Sequence, residues 1–268
     1  LVSAQLRNTS NLVDNLKNAT IVKVVVGSHM YGTNNKNSDI DYLYIYATSE
    51  NELLSVINTH HQLQYKEDGI DYLFVSLHTF INNILNGDSP INFEVINSIQ
   101  LIGTELEWLY EMREYFITYT IIRSYLGICR RDIKHFHKCK TEYEKKKKLG
   151  HIIRGALYAE HMLTYKWDFD AINDRLNTIE INIEDNKQLR DWEKKVSNLR
   201  NSLNEQFNNG ELKYAQKIDV NGGVELMSKL LNYCKSDKFK SKQNKLNDFD
   251  LYNYINSYEN WVNYERNI

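Results

Sequence analysis

A chain of 268 residues with 42% hydrophobic and 25% charged side chains has an ordinary globular composition and can bury a sizeable core, as one large domain or two modest ones. No apolar run approaches the roughly 18 residues that cross a bilayer, which argues against a membrane protein. The formal charge of −2 divides unevenly: residues 1–114 carry 6 Lys and Arg against 14 Asp and Glu, and residues 115–268 carry 27 against 21. The acidic half suits cations and the basic half suits phosphate, since Lys and Arg that neutralise a polyanion supply most sequence-independent nucleic-acid affinity.

Residues 3–19 have helical spacing, with Leu6, Leu12, Val13 and Leu16 on one side. A β-branched run, Ile21 to Val26, predicts a first strand that leads into Gly27-Ser28. The next strand, Ile40 to Ala47, alternates Asp41, Leu43 and Ile45 against Tyr42, Tyr44 and Tyr46. A short helix over 50–57 precedes strands over 62–66 and 70–75, which the turn Glu67-Asp68-Gly69 joins as a hairpin. Residues 77–85 read as helix, Gly87-Asp88-Ser89-Pro90 as a break, and Ser98 to Ile102 as a last short strand. Beyond Thr104 strand signals fade, and helices are expected over 115–140, 142–167, 186–207, 223–235 and 249–264. Asn208-Asn209-Gly210 and the Ser/Lys/Asn stretch 236–247 read as loops. The expected architecture is α+β: a mixed sheet with flanking helices over 1–114, then a helical bundle over 115–268.

Several kinds of chemistry are excluded. Cys129, Cys139 and Cys234 are odd in number and widely spaced, and the first residues lack a signal-peptide core, which predicts a reducing, cytoplasmic setting. The histidines form no zinc set: His135 and His137 face apart on a helix, and His60-His61 has no spaced partner. No G-x-x-x-x-G-K-[ST] loop is present, so the P-loop route to phosphate is closed.

What remains is Gly27-Ser28-His29-Met30-Tyr31-Gly32 followed by Asp39-Ile40-Asp41. A Gly-Ser turn lets backbone N–H groups approach a phosphate, and two carboxylates one residue apart on a strand share a face. Together they suggest a site for a metal-bound nucleoside triphosphate. Hard divalent cations take oxygen ligands, which the two carboxylates offer.

The segment GSHMYGTNNKNSDIDYLYIY resembles the signature of the DNA polymerase β-like nucleotidyltransferase superfamily, in which a Gly-Ser turn precedes an Asp-x-Asp pair and a third Asp follows on a neighbouring strand. Residues 70–96, IDYLFVSLHTFINNILNGDSPINFEVI, and residues 151–163, HIIRGALYAEHML, are similar to a branch associated with RNA repair and often carried by phages. The resemblance covers about 20–165. It implies an N-terminal nucleotidyltransferase domain, two Mg²⁺ or Mn²⁺ ions, a nucleoside triphosphate as substrate and an RNA end as the expected acceptor. A protein hydroxyl or small-molecule acceptor, or a non-catalytic nucleotide- or RNA-binding module, are the alternatives.

On this reading Asp39 and Asp41 bridge both ions. Asp71, on the 70–75 strand, is the third ligand and a candidate base, preferred over Glu67 and Asp68 at the turn. Ser28 is expected to donate to the β- or γ-phosphate with Gly27 permitting close approach, and Gly32 to relieve crowding beneath the nucleotide. His29 is either a phosphate contact or a surface imidazole. Glu94, which that branch also tends to carry, either orients a metal-bound water or a basic side chain or lies on a helix surface. Arg130 to Arg154 holds ten Lys or Arg against three acidic residues, a candidate phosphate-binding face. Within it His151 and Arg154 share a helical face and match the branch's His-x-x-Arg. They face either the triphosphate or acceptor, or a structural ion pair. Tyr158 continues that face, as a base-stacking ring or as core. Oligomeric state has no signal in the sequence.

Overall fold

The computed structural model describes residues 12–34, 36, 38–48, 62–67, 69–87, 89–184, 186–214, 218 and 220–247. The expected helices at 50–57 and 249–264, the start of the helix expected over 3–19, and Asp68 and Asp88 lie outside the described residues.

Four strands form the sheet: β1 (Thr20–Val26), β2 (Ile40–Tyr46), β3 (Gln62–Glu67) and β4 (Ile70–Ser76), in the order β1-β2-β4-β3. β1 runs antiparallel to β2 and β3 antiparallel to β4, while β2 and β4 are parallel. The strand period of two sorts the side chains cleanly. Val22, Val24, Val26, Leu43, Ile45 and Val75 enter the main core against the helices. Tyr44, Tyr46, Phe74 and Leu63 form a second core on the opposite face, closed by Leu12, Val13 and Leu16 of helix α1 (12–18). Rings stack across that face, with Tyr44 and Phe74 at 4.8 Å and Tyr42 and Tyr72 at 6.2 Å between centroids. Such cross-strand aromatic pairs stabilise a sheet beyond their buried area.

Helix α2 (Leu77–Asn86) starts where Ser76 accepts a hydrogen bond from Thr79 N and stops at Gly87 in the left-handed region. Pro90 opens α3 (Pro90–Asn97), a position where its missing N–H is harmless, so the break expected at Gly87 to Pro90 separates two helices and its proline belongs to the second. The short α4 (Glu107–Glu111) follows. The strand expected over 98–102 is a 3₁₀ turn, Ile99–Leu101, capped by Ser98. Its Gln100 side chain does what a neighbouring strand would do, accepting from Val25 N and donating to Val25 O, both at 2.9 Å, and so closes the free edge of β1.

Helices α5 (Tyr119–Phe136) and α6 (Glu142–Leu163) form a hairpin whose second arm starts on a capping box, Thr141 with Glu144. Helices α7 (Phe169–Asn177) and α8 (Lys187–Asn208) follow, and α8 buries Leu189, Val196 and Leu203 at seven-residue spacing. Then come α9 (Val220–Cys234) and α10 (Asp237–Asn247). The expected loop over 236–247 is therefore corrected to a helix: Phe239, Gln243 and Leu246 are buried on one side, and Gln243 Nε2 reaches Thr48 O at 2.9 Å. The main core runs without interruption from Val22 through α5 and α6 to Phe239. The α+β architecture with a mixed sheet and a helical C-terminal region is observed.

Where α5 and α6 cross, a Cβ added at Gly155 would stand 2.6 Å from Cys129 Sγ and 3.5 Å from Tyr125 O. Gly155→Ala is expected to push the two helices apart and lower unfolding free energy by about 1–3 kcal/mol. The midpoint of urea denaturation measures it, and an unchanged midpoint would mean that the crossing has slack.

Candidate functional site

One row of residues runs straight across the four strands. Val26 on β1 pairs with Asp41 on β2, Asp41 with Asp71 on β4, and Asp71 with Lys66 on β3. Paired residues share a face, so the Asp41, Asp71 and Lys66 side chains emerge together, and Asp39, two residues before Asp41, joins them. Asp41, Leu43 and Ile45 alternate along the same face, so the carboxylates sit at the open end of the surface whose middle is buried beneath the helices.

Lys66 Nζ donates to Asp39 Oδ2 and to Asp71 Oδ2, each at 3.3 Å. Burial pushes the Asp41 carboxyl above its usual value, the Asp71 charge pushes it the same way, and Lys147 and Lys66 pull it back. That mutual influence places the three acids and Lys147, from α6, in one electrostatic neighbourhood. Glu67, the competing acid, lies exposed at the end of β3 opposite Ile70 and outside the row.

The strand β1 delivers Gly27 directly beside Asp41. Gly27 has φ +68°, and a Cβ there would run into Asp41 Oδ2. A 3₁₀ turn over Gly27–His29 follows, closed by Met30 N donating to Gly27 O and Thr33 N to Ser28 O. Ser28 thus stands two residues beyond the row. His29 is half-buried, and its Nε2 is enclosed without a hydrogen-bond partner among the described residues. Gly32 lies against Asn177, whose Nδ2 donates to Tyr31 O at 3.3 Å and ties the turn to α7.

Helix α6 carries the facing surface. Lys147, His151, Arg154 and Tyr158 follow one another at helical spacing along it. The Arg154 guanidinium stacks over the Tyr31 ring at 3.8 Å and its Nε lies 3.8 Å from Glu94 Oε1. Glu94 also accepts from the Tyr31 and Tyr125 hydroxyls. Its side chain is 4% exposed whereas that of Arg154 is 21% exposed. Burial raises the Glu94 carboxyl and the guanidinium and two hydroxyls counteract it, while the surrounding Tyr31 and Glu94 hold Arg154 in its charged form. Of the readings open in the sequence, the surface position for Glu94 is excluded, because it orients a basic side chain from inside the core.

His151 Nδ1 meets Asp132 Oδ2 at 3.3 Å, and Lys148 Nζ meets Asp132 Oδ1 at 3.1 Å. Asp132 is buried, which by itself raises a carboxyl, yet these two partners hold it well below the carboxylate range. Burial lowers the His151 imidazole, so it is mainly neutral near pH 7. Tyr158 is fully buried, its hydroxyl donating to Asn173 Oδ1 at 2.6 Å, which leaves no ring face for a base. Two contributors escaped the sequence reading: Lys66, whose signal was its place opposite Asp71 in the hairpin, and Lys147, hidden within the run of four lysines. Arg130, Arg131, Lys134, Lys138, Lys140, Lys146 and Lys147 are exposed around the α5–α6 connection, beyond the acidic row.

The donor set fits a hard divalent cation: all three acids offer carboxylate oxygens, an ammonium already stands between two of them, and Gly27 leaves Asp41 Oδ2 its room. Among the described residues no three potential ligands converge at coordination distance. No helix among them is long and apolar enough to cross a membrane.

No curated relative matches the chain. Among solved structures it is similar to a nucleotidyltransferase-like protein from Exiguobacterium sibiricum 255-15, at 7% identity and a TM-score of 0.25, over 91% of this chain and 88% of that one. The sequence matches the family model of the RNA repair pathway DNA polymerase beta family, RlaP, over residues 3–219, which includes the whole acidic row, the Gly-Ser turn and both arms of the α5–α6 hairpin. By that match, the chain belongs to the RNA repair pathway DNA polymerase beta family.

Proposed function

We propose that this chain transfers a nucleoside monophosphate from a nucleoside triphosphate to the hydroxyl of an RNA 3′ end. The observation that carries this reading is the cross-sheet row: Asp41 and Asp71 side by side, Asp39 on the same face, and the Gly27-Ser28 turn at its margin. Two divalent cations, Mg²⁺ or Mn²⁺, would supply charge neutralisation at the attacking and leaving oxygens. Asp39 and Asp41 would hold both and Asp71 the one nearer the acceptor. The acceptor oxygen bonds to the α-phosphorus, the bond from that phosphorus to the β-bridging oxygen breaks, and pyrophosphate leaves. Asp71 takes the hydroxyl proton and passes it to solvent.

The Ser28 hydroxyl and the turn's N–H groups bind the outer phosphates. Arg154, fixed against Tyr31 by Glu94, presents its exposed fraction to the triphosphate as a preorganised cation. His151, whose imidazole Asp132 holds in place, faces the triphosphate or the acceptor from the same helix. On this reading residues 1–114 carry the acidic row and the phosphate-binding turn, and residues 115–268 add Arg154 and the exposed cluster from Arg130 to Lys147, which suits an RNA backbone. A reducing, cytoplasmic setting is consistent with the three free cysteines.

Incubation with each labelled triphosphate, Mg²⁺ or Mn²⁺ and RNA is expected to label RNA. Asp41→Ala should abolish labelling and at the same time raise the metal-free thermal midpoint by about 2–4 °C, because it removes a crowded carboxylate that burial and Asp71 disfavour. Normal labelling by this variant would refute the assignment. Asp71→Asn should lose turnover more than triphosphate binding.

Glu94→Gln leaves Arg154 without its buried counter-charge. It is expected to lower unfolding free energy by about 2–3 kcal/mol and to raise the KM for triphosphate, with Arg154→Ala raising KM likewise. Steady-state kinetics beside urea denaturation check this, and unchanged KM in both variants would make the pair purely structural.

Replacing Lys134 and Lys138 together by Ala should weaken RNA binding irrespective of sequence and flatten the slope of log affinity against log salt by about 1.4, given roughly 0.7 per single-strand phosphate contact. Fluorescence anisotropy over a salt series reads it. An acceptor affinity indifferent to salt would direct the search to protein hydroxyls or small molecules.

A further inference from the structure

We infer that Lys66 is a tethered counter-cation that fills the place of a divalent ion between Asp39 and Asp71, and that it must withdraw for such an ion to bind. This rests on the proposed reading of Asp39, Asp41 and Asp71 as cation ligands and adds to it a residue that sets their affinity.

The position is dictated by the backbone. Lys66 lies opposite Asp71 across the antiparallel β3–β4 pair, and Asp71 lies beside Asp41 across the parallel β4–β2 pair, so the lysine stem leaves the sheet into the acidic row. Its Nζ contacts one oxygen of Asp39 and one of Asp71, both at 3.3 Å, and those bonds favour its charged form. Those contacts have the length of weak ammonium–carboxylate bonds, whereas Mg²⁺ draws oxygens to about 2.0–2.1 Å. A bound ion would therefore have to draw both oxygens closer to itself than they stand from the ammonium, in keeping with the lack of three converged ligands among the described residues.

An ammonium and a divalent ion cannot share the gap between two carboxylates, since their repulsion would cancel what each gains. Lys66 is free to leave. Its side chain is 55% exposed on an edge strand and sits on a flexible four-carbon stem, so swinging into water sacrifices the two ion pairs and little packing. Lys147, which acts on Asp41 from α6, is not part of this competition because it makes no contact with Asp39 or Asp71 among the described ion pairs. The tether keeps three like charges together in the metal-free chain and lowers the affinity of the finished site for its ion. Binding is then an exchange of one cation for another.

The test is a Mn²⁺ titration of the full chain, with free ion read by electron paramagnetic resonance, comparing wild type, Lys66→Met, Lys66→Arg and Asp41→Asn without any substrate. Lys66→Met keeps the stem but removes the charge and is expected to bind Mn²⁺ about three- to tenfold tighter, in proportion to two exposed ion pairs no longer competing. Lys66→Arg keeps the charge and should bind no tighter than wild type. In chelator, Lys66→Met should melt earlier than wild type, since its three acids have lost their internal partner. If wild type binds Mn²⁺, Asp41→Asn does not, and Lys66→Met binds no tighter than wild type, the competition is refuted while the cation site stands. If neither wild type nor Lys66→Met binds Mn²⁺, the cation reading itself falls and takes this inference with it.

Discussion

The parallel pairing of β2 with β4 is the constraint on which the site depends. It brings Asp41 level with Asp71, residues 30 positions apart whose approach no local turn enforces. A slip of one residue would carry every side chain of one strand to the other face. Asp71 would then point into the second core and Tyr72 toward the helices. What forbids the slip is the aromatic surface behind the acids: Tyr44 stacked on Phe74 at 4.8 Å, and Tyr72 beside Tyr42 and Tyr65 at 6.2 and 5.9 Å. The hydrophobic face thus specifies the register, and the carboxylates inherit their alignment from it. Their own mutual repulsion works against the pairing, which is why an adjacent ammonium matters.

A second fixed point joins the sheet's open end to the helices. Tyr31 follows the Gly-Ser turn, donates to Glu94 of α3 and lies beneath the Arg154 guanidinium of α6, while Asn177 of α7 holds its carbonyl. With the Tyr125 hydroxyl of α5 donating to the same side chain, the turn, α3, α5 and α6 meet at one buried carboxylate. An ion pair so enclosed contributes little net stability compared with an apolar substitute, because both charges must be desolvated. It does exclude other arrangements, since any packing that separates Glu94 from Arg154 leaves a charge buried without a partner. Catalysis of the proposed kind needs that exclusiveness more than it needs stability, because the phosphate-facing cation must be aimed at the acidic row before substrate arrives.

The parts of this arrangement that were legible in the sequence are those set by short-range physics. The β-branched run of β1, the alternation of β2, the hairpin of β3 and β4 and the amphipathic α5, α6 and α8 all follow from side-chain period. Residues 98–102 carry a strand-like pattern in Ile99 and Ile102, yet both are exposed beside a turn, and the edge of β1 is closed by the Gln100 amide instead of a backbone. Helix α10 is concealed by a polar composition, because among its described side chains only Phe239, Gln243 and Leu246 are buried, and one of these three is itself polar. Lys66 and Lys147 were out of reach for another reason. The place of Lys66 opposite Asp71 follows from the β3–β4 hairpin, but its reach to Asp39, like that of Lys147 to Asp41, depends on packing between distant segments, of which a single sequence carries no direct record.

On the proposed reading, the chemistry of the row also couples the partners that would meet there. With Asp39, Asp41 and Asp71 on one face, a bare triphosphate entering beside Gly27 and Ser28 would confront three carboxylates, only partly offset by Lys66 and Lys147. On the proposed reading, divalent ions reverse the sign of that encounter. Cation and triphosphate must then strengthen each other's binding by the same factor, as any two ligands linked through one site do. Lys66 enters this linkage as a third participant, since its ammonium satisfies the acids only while the ion is absent. On that inference the lysine holds the acids together in the empty chain and resists loading by weakly bound cations, and its exchange for a divalent ion accompanies the gain in triphosphate affinity.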